Sequence, residues 1–238
     1  IINDEQREVL QALGVLNERG NSTFYRSIVV PILDDNDVPI HLYGRATTRN
    51  RHRYLPGPHR GVFHVRAWMD SGDLVLTESP LDALSLFVAG VENVSCLYGT
   101  NGWTSDHDRY LEGSRIERII LALDGDEAGR AATVGLAARL AARGCRVEQV
   151  TWPEGIKDAN DALGAGLDLP QLIAGAIEIA RPAQPPKSTK ANKTKVHENI
   201  EIGESEAAFA FTQPCRQSGK SRPLQQFYQI LTISLWKN

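Results

Sequence analysis

Apolar and polar positions change period several times along the chain, and each change predicts an element. Asp4 to Leu16 carries apolar residues at helical spacing and predicts a helix. Ser27–Leu33 and Val38–Gly44 are apolar strand-like runs on either side of Asp34-Asp35-Asn36-Asp37, which predicts a hairpin turn. Beyond Asp70–Gly72 the pattern becomes an alternation. Leu74–Thr77 predicts a short buried strand, and Pro80–Ala89 a helix with proline in its first turn. Val94–Leu97 predicts a second strand, closed by Tyr98-Gly99-Thr100-Asn101-Gly102, and Ser105–Leu111 a helix. Arg118–Leu123 predicts a third strand, and Glu127–Arg143 a long Ala-rich helix stopped by Gly144. Arg146–Trp152 predicts a fourth strand and Ala159–Leu163 the start of another helix. Strands and helices alternating at this spacing predict an α/β fold, a parallel sheet covered on both faces.

Three regions follow: 1–70, a smaller α+β part; 71–181, the alternating part; and 182–238, a proline-containing polar stretch expected to be linker or disordered tail. With 42% apolar and 23% charged residues in 238, the chain can bury a sizeable core. No run of eighteen apolar residues occurs, so no membrane-spanning helix is expected. The first residues have neither a basic start nor an apolar stretch, hence no secretory signal, and the lack of an initial Met suggests a fragment. Cys96, Cys145 and Cys215 are odd in number and far apart, which predicts neither disulfides nor a zinc site and a cytoplasmic location. The net charge of −3 divides into −7 for residues 1–181 and +4 beyond. An acidic body argues against indiscriminate nucleic-acid binding and shifts the question to local patches.

Three acidic groups fall just after predicted strands: Glu78 with Asp82 one helical turn on, Asp124 with Asp126, and Asp158 with Asp161. Ligands of open α/β sheets gather at the carboxyl ends of strands, so these groups can converge. The Asp124-Gly125-Asp126 carboxylates stand two residues apart in an extended segment and point the same way. Such a pair suits Mg²⁺, which takes one or two carboxylates and keeps waters for substrate phosphates. Taken singly, each acid also reads as a solvated turn, or as a carboxylate favoured at a helix N-terminus.

The motifs Leu-Val-Leu-Thr-Glu78-Ser-Pro-Leu-Asp82, Tyr-Gly-Thr-Asn-Gly and Leu-Ala-Leu-Asp124-Gly-Asp126-Glu-Ala-Gly-Arg resemble, in this order, the Toprim domain of bacterial-type primases, topoisomerases and some nucleases. Lys157-Asp158-Ala-Asn160-Asp161 resembles the segment that follows in primases and primase-helicases. Ser79-Pro80 departs from the Gly common after the Glu in primases, which points to a divergent branch of mobile-element type. The resemblance implies Glu78 as general base or metal ligand. It makes Asp124 and Asp126 the principal Mg²⁺ (or Mn²⁺) ligands and catalytic acids, with Asp82 and Asp158 as supporting ligands and Lys157 at the nucleotide.

Residues 41–69 hold six arginines (Arg45, Arg49, Arg51, Arg53, Arg60 and Arg66), four histidines and no acid. With Tyr43, Tyr54, Phe63 and Trp68 interleaved, this composition suits a groove that tracks a phosphate backbone and stacks bases; the bland alternative is a solvated basic loop. The histidine spacings of 11, 7 and 5 match no usual metal pattern. The half also resembles the N-terminal subdomain of the DnaG-type primase core, which implies Arg45 and Arg53 as template or nucleotide contacts and Tyr54 as a stacking residue.

The resemblance implies a nucleotidyltransferase making RNA primers from NTPs on single-stranded DNA, with a replicative helicase as a partner through parts outside this chain. A metal-dependent Toprim nuclease would use the same acids. A non-catalytic DNA-binding fragment is the third reading, since neither a zinc ribbon nor a helicase-binding domain is recognisable in the sequence.

Overall fold

The structure, a computed structural model, describes residues 3–48 and 51–183. The expected linker or disordered tail, apart from its first two residues, and Arg49 lie outside the described residues.

The first part is helix α1 (Asp4–Ala12) followed by an antiparallel sheet of β1 (Ser27–Leu33), β2 (Pro39–Ala46) and β3 (His52–Tyr54) in the order β1-β2-β3. Asp34 makes the expected hairpin turn by accepting the backbone N–H groups of Asn36 and Val38 on Oδ1, both at 2.9 Å. Helix α1 stops four residues before the expected Leu16. Gly14 turns the chain out at φ +75°, and a Cβ there would stand 2.4 Å from the Pro56 ring.

The second part is a five-stranded sheet in the order β5-β4-β6-β7-β8. Strands β4 (Asp73–Thr77), β5 (Val94–Cys96), β6 (Arg118–Ala122) and β7 (Arg146–Gln149) are mutually parallel. Strand β8 (Ile177–Ala180), which the apolar pattern did not single out, runs antiparallel along β7 at the edge. The intervening helices are α2 (Val65–Asp70), α3 (Pro80–Val88), α4 (Ser105–Glu112), α5 (Glu127–Ala142), α6 (Ala159–Gly164) and α7 (Leu169–Ala174).

Alternate residues of the central strands serve opposite faces, as a sheet covered on both sides requires. Leu74, Leu76, Ile119, Leu121 and Val147 pack with Trp68 of α2, Leu111 of α4 and Leu136 and Leu140 of α5. Val75, Ile120 and Ala122 pack with Ala83 and Leu86 of α3, Ala162 of α6 and Leu169 of α7. The same cluster contains Val30 and Ile32 of β1 and Tyr43 of β2, so the antiparallel sheet shares a core with the parallel one. Each buried Leu or Ile in these layers contributes about 1.5–3 kcal/mol of transfer free energy.

The topology positions the site. The chain leaves β4 toward β5 on one side and returns through α4 to β6 on the other side of β4. The strand order therefore reverses between β4 and β6, and a crevice opens at their carboxyl ends where ligands of such sheets bind. Glu78 follows β4 directly, and Asp124 follows β6 by two residues.

Candidate active site

Glu78 sits between Thr77 of β4 and Ser79, the N-cap of α3. Ser79-Pro80-Leu81-Asp82 has the sequence of a capping motif. The Ser79 side chain accepts the Asp82 backbone N–H at 3.4 Å and donates to Asp82 Oδ2 at 2.5 Å. The Ser-Pro departure thus serves the start of a helix. Asp82 is buried, and its Oδ1 accepts the backbone N–H of Asn160 at 3.4 Å, tying α3 to α6.

On the neighbouring strand, the Asp126 side chain caps α5 by accepting the Gly129 N–H at 2.9 Å. The loop bearing the two aspartates is clamped from behind. Gly125 N–H donates to the Lys157 carbonyl at 2.7 Å, and Trp152 Nε1 donates to the Leu123 carbonyl at 2.8 Å. The clamp brings Lys157 over the pair, with Nζ 2.8 Å from Asp124 Oδ2 and 3.4 Å from Asp126 Oδ2. Asp158 caps α6 by accepting the Asp161 N–H at 2.8 Å. Asp82 and Asp158 are thus engaged in holding helices, whereas Glu78 Oε2 is buried with no hydrogen-bond partner among the described residues.

The electrostatics follow from this crowding. Burial pushes Glu78 up to about 7, and the Asp124 and Asp126 charges add to it, partly offset by Lys157. Burial pushes Asp82 up to about 6, against the Ser79 hydrogen bond. Burial also raises Asp124, with Lys157 pulling it back. Asp126 is lowered, chiefly by the Gly129 N–H. The hydrogen bond that Lys157 donates to Asp124 holds its ammonium protonated well above the usual range.

A divalent cation suits this donor set. The groups are hard oxygens, one buried oxygen lacks a partner, and an ammonium already occupies the space between two carboxylates. Among the described residues no three Asp, Glu, His or Cys side chains form a ready cage, so protein ligands alone would not fill a coordination shell.

The basic nominees lie beside this crevice. Burial raises the Tyr43 hydroxyl, the Arg45 guanidinium lowers it and Asp82 raises it again, which puts β2 next to the acidic residues. Tyr54 is half-buried, enclosed by His41 (stacked, 5.7 Å), His59 (edge-on, 4.4 Å) and Tyr98 (edge-on, 5.5 Å). Arg53 is exposed on edge strand β3, its Nη1 reaching the Thr23 carbonyl at 3.4 Å. The clamp through Gly125 and Trp152 was not foreseen; the only trace of it in the sequence is the Gly between the two acids.

Residues 75–163 match the Toprim-like family. Over 171 residues the chain is 38% identical to the DNA primase of Myxococcus xanthus, covering 66% of this chain and 28% of that protein. Over 191 residues it is 27% identical to the DNA primase of Deinococcus radiodurans, covering 73% of this chain and 33% of that protein. The fold is that of a DnaG primase catalytic domain solved bound to single-stranded DNA, with a TM-score of 0.60 and 22% identity over 74% of this chain and 62% of that one. The chain spans about a third of the length of the curated relatives it matches. Among the described residues no helix is long and apolar enough to cross a membrane.

The raised Glu78 makes a prediction about stability. The folded chain holds the Glu78 proton more tightly than the unfolded chain, so this contribution is present in acid and is lost as pH rises through about 7. Glu78→Gln keeps the shape and cannot ionise. Without divalent cations, its melting temperature relative to the parent's is expected to climb from about pH 5 to about pH 8. A difference that stays flat over that range would contradict the raised pKa.

Proposed function

We propose that this chain is the polymerising part of a primase, joining NTPs into short RNA on single-stranded DNA. The observation that carries the reading is the buried, unpartnered Oε2 of Glu78 at the strand-order reversal, beside Asp124 and Asp126, with the antiparallel sheet that bears Arg45 and Arg53 sharing the same core. The names of the relatives support it.

In this reading residues 1–70 hold template and residues 71–181 carry the chemistry. Asp124 and Asp126 would hold Mg²⁺, or Mn²⁺ in its place, with Glu78 facing them. A bound ion supplies charge neutralisation at the triphosphate and a more acidic attacking hydroxyl. Glu78, titrating near 7, is the group able to take the proton of the 3′-hydroxyl at neutral pH. Lys157 is exposed enough to turn its ammonium from the aspartates toward the phosphates of the NTP. Arg45 would hold the template phosphate next to the acidic site. The setting would be the cytoplasm, and a replicative helicase would be met through other parts of the full protein.

Incubation with single-stranded DNA, labelled NTPs and Mg²⁺ or Mn²⁺ tests the reading. Short RNA products are expected. Template cut without RNA products would replace this reading with a Toprim nuclease, and binding without either activity would leave a DNA-binding module.

A further inference from the structure

Glu78 is held by the chain that follows β5 as well as by its own strand. The Leu97 N–H donates to the Thr77 carbonyl at 2.9 Å and the Gly99 N–H to the Glu78 carbonyl at 3.1 Å, so these two bonds bracket the residue between them, Tyr98. Gly99 turns the chain at φ +94°, and Gly102 folds back until a Cβ there would stand 2.2 Å from the Tyr98 backbone nitrogen. The Tyr98 main chain is therefore fixed against that of Glu78, and a shift of one carries the other.

The Tyr98 side chain is anchored in the antiparallel half. It is buried, and its hydroxyl donates between the Arg60 and Gly61 carbonyls, each at 3.0 Å. Its ring stacks on His59 at 4.6 Å with 13° between the planes, and Tyr54 and His41 meet it edge-on at 5.5 and 6.3 Å. The seat is itself fastened. His41 Nε2 and His59 Nδ1 stand 3.3 Å apart, one donating and the other accepting, and the Gly61 N–H donates to Asp106 Oδ2 of α4 at 2.6 Å. Burial lowers both histidines, which favours the neutral ring that the acceptor must be.

We propose that Tyr98 is a positioning residue for Glu78. Its ring, seated among His41, Tyr54 and His59, fixes the loop whose Gly99 N–H holds the Glu78 backbone, and so sets where the Glu78 carboxylate stands relative to Asp124 and Asp126. The inference rests on the primer-synthesis reading and deepens it, because it ties the half proposed to hold template to the group proposed to take the 3′-hydroxyl proton. The lever is short: Tyr98 is one residue from Gly99, and the bond from Gly99 ends on Glu78 itself. Without the ring the loop loses its anchor, and a displacement of order 1 Å near reacting groups costs about a hundredfold in rate.

The test is steady-state RNA synthesis from ATP on oligo-dT by the full chain and its variants. Tyr98→Leu is expected to lower kcat about a hundredfold, with the KM for ATP and the affinity for oligo-dT unchanged. Tyr98→Phe keeps the ring and gives up one hydroxyl, and is expected to stay within about tenfold of the parent. His59→Leu, at a half-buried position, removes only the stacked ring and is expected to cost about tenfold; it carries the test if Tyr98→Leu does not fold. The deciding comparison is made on Glu78→Gln. An effect that runs through the Glu78 carboxylate adds less than about twofold to the loss already caused by Glu78→Gln, whereas a merely structural role costs the same in both backgrounds. Equal losses in the two backgrounds, or full kcat in Tyr98→Leu, would overturn the positioning role and leave the primer-synthesis reading standing. A parent that makes no RNA would overturn that reading and the role with it.

Discussion

Asp124→Asn is expected to lower NTP incorporation by about a hundred- to a thousandfold, the loss typical of removing one group that stabilises developing charge. The melting temperature is expected to hold or rise. The carboxylate is raised by burial and faces Glu78, Asp126 and Asp158, so in metal-free protein its charge is opposed on most sides. An amide of the same shape removes that repulsion. Lys157 loses its contact at 2.8 Å but keeps Asp126, and at half exposure it stays solvated. Loss of activity without loss of fold separates a functional acid from a structural one. Asp82→Asn is the contrasting case: both Asp82 oxygens are engaged, by Ser79 and by the Asn160 N–H, so that variant should lose stability as well. An unfolded Asp124→Asn, or a fully active one, would contradict this account.

Gly129→Ala is expected to cost about 1–3 kcal/mol of stability, as overpacking of a tight contact does, and to reduce activity about a hundredfold through a shift of order 1 Å. A Cβ at this position would lie 2.1 Å from the Asp124 carbonyl oxygen and 2.9 Å from its carbon, so α5 and the aspartate loop must separate. The Gly129 N–H also donates to Asp126, so one methyl group displaces both carboxylates. Gly135, on the same helix with nothing within 4 Å of its virtual Cβ, is the control. Gly135→Ala should stabilise by about 0.5–1 kcal/mol through helix propensity alone. Thermal melts and NTP incorporation on both variants check the pair, and equal behaviour of the two would contradict the close approach.

The larger sheet was legible because its central strands are buried on both faces and therefore read as short continuous apolar runs between helices. The hairpin was legible because four polar residues interrupt two such runs. Short elements were not. Strand β3 has three residues, His52-Arg53-Tyr54, and its polar positions face outward at an edge. Strand β8 is exposed at Ile177, Glu178 and Ile179, so no burial pattern marks it. Helix α7 begins Leu-Pro after an Asp N-cap, a signal visible in hindsight within a six-residue helix. At the site, the spacing of the acids carried their placement after strands, because strand ends are fixed by the apolar runs. Spacing could not show that Lys157 would lie between Asp124 and Asp126, since that depends on a backbone bond from Gly125 across 32 residues of sequence.

The central claim is template-directed synthesis at the acidic site, and a homopolymer assay tests it most directly. The chain is given oligo-dT and Mg²⁺ with each labelled NTP in turn, alongside Asp124→Asn. The account predicts ATP incorporation on oligo-dT, little from the other three NTPs, and loss of the product in the variant. Incorporation that ignores the template, or survives Asp124→Asn, would contradict it.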